Sequence, residues 1–345
     1  MTEAHTFSPV SRSVREPYRF ITATAVLLVA LTACSSDDPA PSSNGTDSSD
    51  ATATFPDISG EVGQTPTVEF SGDPEVESVE TLVVTNGSEG TVASDDLVAS
   101  HQMIYEWGPD GQVSETYSSF DDAPLLISVS DLAEAAPEAA EAFEGEEVGT
   151  RLAMVFPPSH SALSPDPEGE QEAAEGDTST LFIYDLVDRY QAGATVAQED
   201  EEAVFDGDGE LPDVRVPQGQ QPQVTVPDTE PPEELITVTL IDGEGDPATA
   251  RSTVVTQFHA LPWDDGVEFD STWEYGASPK NFALEPASVI EGWLNGLEGV
   301  QAGSRVMLIV PPESGYGSGG NEAVDVGPDE TLVYVIDIVD VLPPA

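Results

Sequence analysis

Cysteine is almost missing from this chain: there is one in 345 residues. No disulfide can form within the chain, so packing and hydrogen bonds must hold it. Basic residues are nearly as scarce, with nine Lys+Arg against 66 Asp+Glu and a formal net charge of −57. Without a basic surface nothing displaces counterions from phosphates, which argues against nucleic-acid binding. The same shortage argues against electrostatic docking on anionic lipid. Self-repulsion of this size has to be screened. A saline setting is one account; an acidic secreted surface kept soluble by its charge is the other. Histidine is sparse too, and His101, His160 and His259 are scattered without ligand spacing, so the sequence points to no metal site. What is present is apolar residue, 39 %, enough for a sizeable core, in a length that suits roughly two domains of about 150 residues each.

The N-terminus reads as an address. Arg12, Arg15 and Arg19 precede "FITATAVLLVAL" (Phe20 to Leu31), an apolar run of 12 residues that is too short to span a bilayer and suits a signal peptide. "LTAC" follows. Leu31, two small residues and Cys34 resemble the bacterial lipobox, in which the Cys is lipidated and becomes the new N-terminus. The expected division is a lipoprotein signal over 1–33 and a Ser/Asp/Pro-rich flexible spacer over 34–54. The membrane is then a partner only through the lipid anchor, and the location is extracytoplasmic.

A second acidic break, "QAGATVAQEDEEAVFDGDGE" (191–210), reads as a solvated linker. Its "DGDGE" lacks the full spacing and closing Glu of a calcium loop. Around this break the chain repeats itself. "FPD" at Phe55 answers "LPD" at Leu211. "GTRLAMVFPP" from Gly149 answers "GSRVMLIVPP" from Gly303. "DLVD" at Asp185 answers "DIVD" at Asp337, and the offset drifts only from 156 to 152 along the chain. Landmarks in one order at one offset mean two copies of one domain, over 55–190 and 211–345 with a core at 236–342. Arg151 and Arg305 occur in both copies and read as residues of the fold.

Each copy is β-rich. "RVMLIV" (Arg305 to Val310) and "TLVYVIDIVDV" (Thr331 to Val341) predict strands, the first ended by Pro311–Pro312. One helix is predicted over Val289 to Leu297, with a capping box from Ser288 and Glu291. Gly292 and Gly296 weaken it, so packing must hold it. The expected unit is α+β.

Four pieces of the second copy, in order and at matching spacing, carry a resemblance: "DGVEFDST" (265–272), "VIEGWLNGLEGVQAGSR" (289–305), "PPESGYG" (311–317) and "TLVYVIDI" (331–338). Together, over about Ile236 to Leu342, they resemble the macrolide-binding, FKBP-type peptidyl-prolyl isomerases. The resemblance implies a half-barrel antiparallel sheet wrapped over a short helix, with an aromatic pocket for proline. It implies Trp293 at the pocket floor, and Phe269, Phe282 and Tyr334 as walls. Val289 and Ile290 match the positions on the ligand's carbonyl side. Asp270 is the polar group near the reacting amide, Tyr316 a hydroxyl donor, and Val326 an apolar lip. Where the family usually has Tyr, this chain has Phe258, so a hydroxyl that would partner Asp270 is lost. The implied partners are Xaa-Pro segments of exported polypeptides, with macrolides such as tacrolimus or rapamycin as further ligands.

The chemistry suits those residue types. The prolyl amide has a rotation barrier of about 18–20 kcal/mol because it is conjugated. Lowering it needs no cofactor, metal or nucleophile, only a dry pocket that binds the twisted amide better than either planar form. The first copy has lost that set. Alignment on the flanking motifs puts Ala139 for Trp293, Ser114 for Phe269 and Ala162 for Tyr316, and Pro137 is expected to disturb the helix. The expected function is therefore a lipid-anchored isomerase with one competent and one degenerate domain. The rival is a non-catalytic binding or chaperone lipoprotein of the same fold.

Overall fold

The computed structural model describes residues 55–74, 76–158, 178–196, 203–217 and 220–344. Cys34, the signal segment, the 34–54 spacer, His160 and Ala162 lie outside them.

The first copy begins with a hairpin, β1 (Asp57–Ser59) and β2 (Thr67–Glu69). Strands β3 (Glu80–Thr85), β4 (Glu89–Thr91), β5 (Leu97–Trp107), β6 (Val113–Ser118) and β7 (Leu125–Ser128) follow. Helices α1 (Val129–Ala135) and α2 (Pro137–Phe143) come next, then β8 (Glu147–Val148), β9 (Arg151–Phe156) and β10 (Ser179–Tyr190). The second copy opens with β11 (Ala203–Phe205), β12 (Asp213–Val216) and β13 (Gln223–Thr225). Its main strands are β14 (Ile236–Ile241), β15 (Thr253–Pro262), β16 (Asp270–Ser271) and β17 (Lys280–Ala283). Helix α3 (Glu291–Gly296), β18 (Arg305–Val310) and β19 (Leu332–Leu342) complete it.

Both main sheets are antiparallel and have one topology. The first runs β3-β9-β10-β5-β6 with β7 also on β5; the second runs β14-β18-β19-β15-β16 with β17 also on β15. Even the bulge repeats. Val187 is left over between Leu186 and Asp188 in β10, and Val339 between Ile338 and Asp340 in β19. Two FKBP-like units thus stand in series, each with helix against one sheet face.

The other sheet face is covered as well. In the second copy Leu261, Trp263, Met307, Ile309, Val333 and Val335 pack under the β11-β12-β13 sheet through Val214 and Val216. In the first copy Ile58 and Val68 of the β1-β2 hairpin cover Met103, Ala153, Val155, Leu181 and Ile183. Part of the segment expected to be a solvated linker is therefore structure. β11 pairs with β12, because Phe205 has an apolar face to join. The "DGDGE" segment folds as a turn whose backbone is held by nearby carboxylates: Gly207 N–H donates to Asp213 Oδ1 of β12 and Asp208 N–H to Asp206 Oδ1, both at 2.9 Å.

The copies touch. Leu97, Ala99 and Tyr190 of the first pack with Val255 of the second, joined by the two bulge residues Val187 and Val339. The Tyr190 hydroxyl donates to Asp340 Oδ2 at 2.6 Å; burial first, and then that carboxylate, push the hydroxyl pKa well up. Among the described residues no helix is long and apolar enough to cross a membrane.

Three local expectations need correction. α3 starts at Glu291, capped by Ile290 with no side-chain hydrogen bond, and Ser288 Oγ turns instead to Glu285. The capping box does not form because Val289 and Ile290 lie between Ser288 and the first helical residue, whereas an N-cap directly precedes it. Pro137 does not break a helix. It begins α2, where a missing N–H costs nothing, and the first copy has two short helices, α1 and α2, in place of one. The third concerns Phe269 and is given below.

Candidate active site

Trp293 is the centre of the site. It sits on α3, and α3 lies unusually close to the sheet. A Cβ on Gly292 would fall 2.4 Å from Val310, and one on Gly296 2.9 Å from Leu308. The two residues that weaken the helix are thus the ones that let it press onto β18. Packing, not propensity, holds these two turns.

Three rings meet the buried indole edge-on. Phe282 on β17 lies 5.1 Å from it, Phe258 on β15 5.6 Å, and Tyr334 on β19 5.6 Å. Phe269, just before β16, stands perpendicular to Tyr334 at 6.0 Å, and Phe258 meets Phe282 at 5.9 Å. Such edge-to-face contacts each add to area burial and lock the rings in place. Alternation puts Phe258 and Ala260, and likewise Tyr334 and Ile336, on the helix side of the sheet. Phe269, Phe282, Val289, Ile290 and Tyr316 are only partly buried, and Val326 is buried beside them. The floor is therefore closed and the rim open.

Polar groups ring that rim. Asp270 begins β16, paired with Ala260. Burial pushes its carboxyl up to about 6; the neighbouring Glu274 and Glu268 add to the rise, while the Ser271 backbone and Lys280 oppose it. The Tyr316 and Tyr334 hydroxyls share a hydrogen bond. Burial, then the charges of Tyr316 and Asp270, hold the Tyr334 hydroxyl far above its usual range. Tyr334 therefore keeps its proton at pH 7. Ile290 caps α3, its carbonyl accepting from Trp293 N–H at 3.0 Å, so its own N–H lies outside the helix ladder.

The sequence-predicted residues of the second copy are thus brought to one place: Trp293, Phe258, Phe269, Phe282 and Tyr334 as rings, Asp270 and Tyr316 at the rim, Val289, Ile290 and Val326 beside them. The supports were not foreseen. Thr272 fastens β15 to the loop after β16: Phe258 N–H donates to Thr272 Oγ1 at 3.0 Å. Behind β16, Gln221 reaches His259 Nδ1 at 2.8 Å and also touches Glu268. His259 Nδ1 and Glu268 Oε2 are 2.6 Å apart, ion-pair geometry, yet burial lowers His259 to about 4 and raises Glu268. The imidazole is accordingly neutral at pH 7, and the contact is a hydrogen bond. No sequence signal joins Gln221 to His259 across 38 residues.

The first copy shows what the site is not. By ladder register Ile104 stands for Ala260, and Tyr117 opposite it stands for Asp270. Thr116, two residues on from the expected Ser114, therefore takes the place of Phe269; the bulge between Ile104 and Tyr105 absorbs the difference. Ala139 does replace Trp293, and larger rings pack in the same cluster. Phe143, Phe156 and Tyr184 occupy the positions of Leu297, Val310 and Ile336. Phe143 meets Tyr184 at 5.1 Å, and Tyr184 stacks on Phe182 at 5.7 Å. Rings from the end of α2 and from β9 and β10 pack in the same cluster as Ala139.

Comparison with known proteins agrees with this geometry. The family profile described as FKBP-type peptidyl-prolyl cis-trans isomerase matches residues 245–339. An FK506-binding protein of Streptomyces anulatus is 36% identical over 122 residues, 35% of this chain and 98% of that one. The chain belongs to the FKBP-type peptidyl-prolyl cis-trans isomerase family. A probable FK506-binding protein of Corynebacterium glutamicum is 35% identical over 108 residues, 31% of this chain and 87% of that one. The crystal structure of FkpA from Escherichia coli overlaps 32% of this chain and 49% of that one, at 32% identity and a TM-score of 0.30. The FKBP family match falls on the copy that has the aromatic box. Among the described residues no cluster of His, Cys, Asp and Glu could hold a metal ion.

Proposed function

We propose that the second copy isomerises Xaa-Pro bonds of exported polypeptides, and that lipid on Cys34 holds the chain outside the cell membrane. The observation that supports the catalytic part is the ring of Phe258, Phe282 and Tyr334 around Trp293, with Asp270 and Tyr316 at its mouth. The pyrrolidine ring of proline sits on Trp293, out of water. Tyr316 and the Ile290 N–H hold the flanking carbonyls while the amide turns. In the twisted amide the nitrogen no longer feeds the carbonyl carbon, and the charged Asp270 carboxylate favours that carbon's gain in positive character. No bond to the protein forms and no proton need move. Macrolides such as tacrolimus or rapamycin are proposed as competing occupants of the same box.

The test is a protease-coupled isomerisation assay on the mature chain with an Xaa-Pro peptide. Acceleration that is lost in Asp270→Ala, with the fold intact, supports the reading; an Asp270→Ala chain as active as wild type removes Asp270 from it. Mass spectrometry of the membrane fraction tests the anchor, and an unmodified Cys34 thiol or an intact Met1 overturns it. A second reading, a non-catalytic holding protein, draws on Phe258, which lacks a hydroxyl, and on the filled first copy. Tight peptide binding with no acceleration selects it.

A further inference from the structure

Beneath each sheet, on the face away from the helix, lies a buried Arg–Asp pair. In the first copy Arg151 chelates Asp185, with both contacts at 2.6 Å. The copy's own β1-β2 turn fills the remaining bonds. Arg151 donates to the carbonyls of Glu61 (3.0 Å) and Gln64 (2.9 Å), and Gly63 N–H donates to Asp185 Oδ2 at 2.7 Å. In the second copy Arg305 holds Asp337 in the same way, with Nη2 at 2.7 Å from Oδ2. Here the seat is taken by the chain that leaves the first copy. Thr195 Oγ1 donates to Asp337 Oδ2 at 2.6 Å and accepts from Arg305 Nη2 at 2.9 Å; Val196 N–H adds a bond to Oδ2 at 3.2 Å.

Two residues earlier the same strap grips the pocket. Gly193 N–H donates to the Ala277 carbonyl at 2.6 Å, and Gln257 Nε2 donates to the same oxygen. Ala277 lies in the loop that begins just after Asp270 and ends at β17, which carries Phe282. Its φ is +59°, a left-handed conformation that an L side chain resists. A strained residue persists only where its surroundings over-determine it. The bonds to its carbonyl, with its own N–H on Thr272 O at 3.0 Å, do so. One of those restraints comes from outside the catalytic copy.

We infer that the strap Gly193–Val196 positions the active site, fixing the Thr272–Pro279 loop and with it the spacing of Asp270 from Phe282. Thr195 and Gly193 are positioning residues for the isomerisation, and the pocketless first copy is the anchor that keeps the strap seated. The inference rests on the assignment of Asp270 and Phe282 to the pocket.

The experiment uses the full mature chain. Thr195→Val deletes the hydroxyl shared by Asp337 and Arg305, and Thr195→Ser restores it. Gly193, at φ +75° with open space around it, is changed to Ala to strain the strap without a clash. For Thr195→Val, kcat/KM should fall about fivefold, the lower end of ordinary coupling between two sites. Hydrogen exchange should quicken over 272–281 and stay unchanged in β18 and β19. Gly193→Ala should move both in the same direction, and Thr195→Ser should keep wild-type values. The inference is overturned if Thr195→Val leaves kcat/KM and loop exchange unaltered. It is also overturned if the loss in rate comes with faster exchange throughout the second copy, since that marks a general loss of stability. Failure of the pocket assignment is read separately: Asp270→Ala would then keep full activity whatever the Thr195 variants do to loop exchange.

Discussion

Two sheets with one strand order and matching bulges at Val187 and Val339 have different interiors. In the second copy the large ring of the helix is Trp293, ringed by Phe258, Phe282 and Tyr334, and the same cluster has the aliphatic Leu297, Val310 and Ile336. In the first copy the helix offers Ala139 and Phe143, and Phe156 and Tyr184 stand where the second copy has Val310 and Ile336. Apolar volume has moved from one helix position to Phe143 further along the helix and to two positions of the sheet. Both interiors are packed, but only the first arrangement leaves an open rim of rings. The fold therefore tolerates loss of the pocket so long as total volume is kept, and the pocket depends on which positions carry the rings. The same contrast holds beneath the sheets, where one Arg–Asp seat is filled from within its copy and the other from the neighbour.

Exchanging the central residue should separate the copies most. Trp293→Ala removes a buried ring with nothing behind it; it should cost about 3–5 kcal/mol of stability and abolish tacrolimus binding, read by denaturant melts and calorimetry. Ala139→Trp overpacks a filled core and should cost about 1–3 kcal/mol without creating a binding site. Ligand bound as tightly by Trp293→Ala as by wild type would place the pocket elsewhere.

The Arg–Asp seats come next. Asp337→Ala leaves Arg305 buried with few partners among the described residues, whereas Asp185→Ala leaves Arg151 among the β1-β2 carbonyls. The loss should approach about 3–5 kcal/mol for Asp337→Ala and be clearly smaller for Asp185→Ala. Equal losses would show that the turn carbonyls do not compensate.

Asp270 sharpens the comparison through pH. Its folded carboxyl titrates at about 6, raised chiefly by burial. An acid whose folded pKa is raised binds its proton more tightly when folded, so its contribution is most favourable at low pH and is lost as pH rises through 6. Activity, in which the proposed role of Asp270 needs the charged form, should run the other way. The kcat/KM should fall as pH drops through about 6. Asp270→Asn should flatten that profile, lower the rate and slightly raise the melting temperature at pH 7. The first copy has Tyr117 at this place and should contribute nothing to the profile. A wild-type rate that is flat from pH 5 to 8 would count against the carboxylate.

The smallest effect concerns the contact between copies. Tyr190→Phe deletes the bond to Asp340 and should cost about 1 kcal/mol, seen as earlier melting of one copy relative to the other. Unchanged coupling of the two transitions would mean that the apolar patch alone holds them.

Much of the site could be read in the chain because its parts lie in short motifs. Phe269 and Asp270 are adjacent, Val289, Ile290 and Trp293 span one helix entry, and Tyr316 follows the Pro–Pro stop. Spacing within a motif survives folding, so these residues could be named from the sequence. The repeat was legible for the same reason, since its landmarks keep their order. Phe269's counterpart was misplaced because a bulge in the β5–β6 ladder shifts the register, and a bulge leaves no mark in composition.

What the sequence determined by itself is therefore local: the copies, their strands, the ring-bearing positions, the acidic surface and the single Cys34. Tertiary structure alone decided the rest. It turned part of an acidic linker into a strand, brought Phe143, Phe156 and Tyr184 into one cluster with Ala139, and set Thr195 on Asp337 and Gly193 on Ala277. Each of these contacts joins residues remote along the chain. Its free energy depends on two surfaces meeting in register, and neither segment carries that information alone.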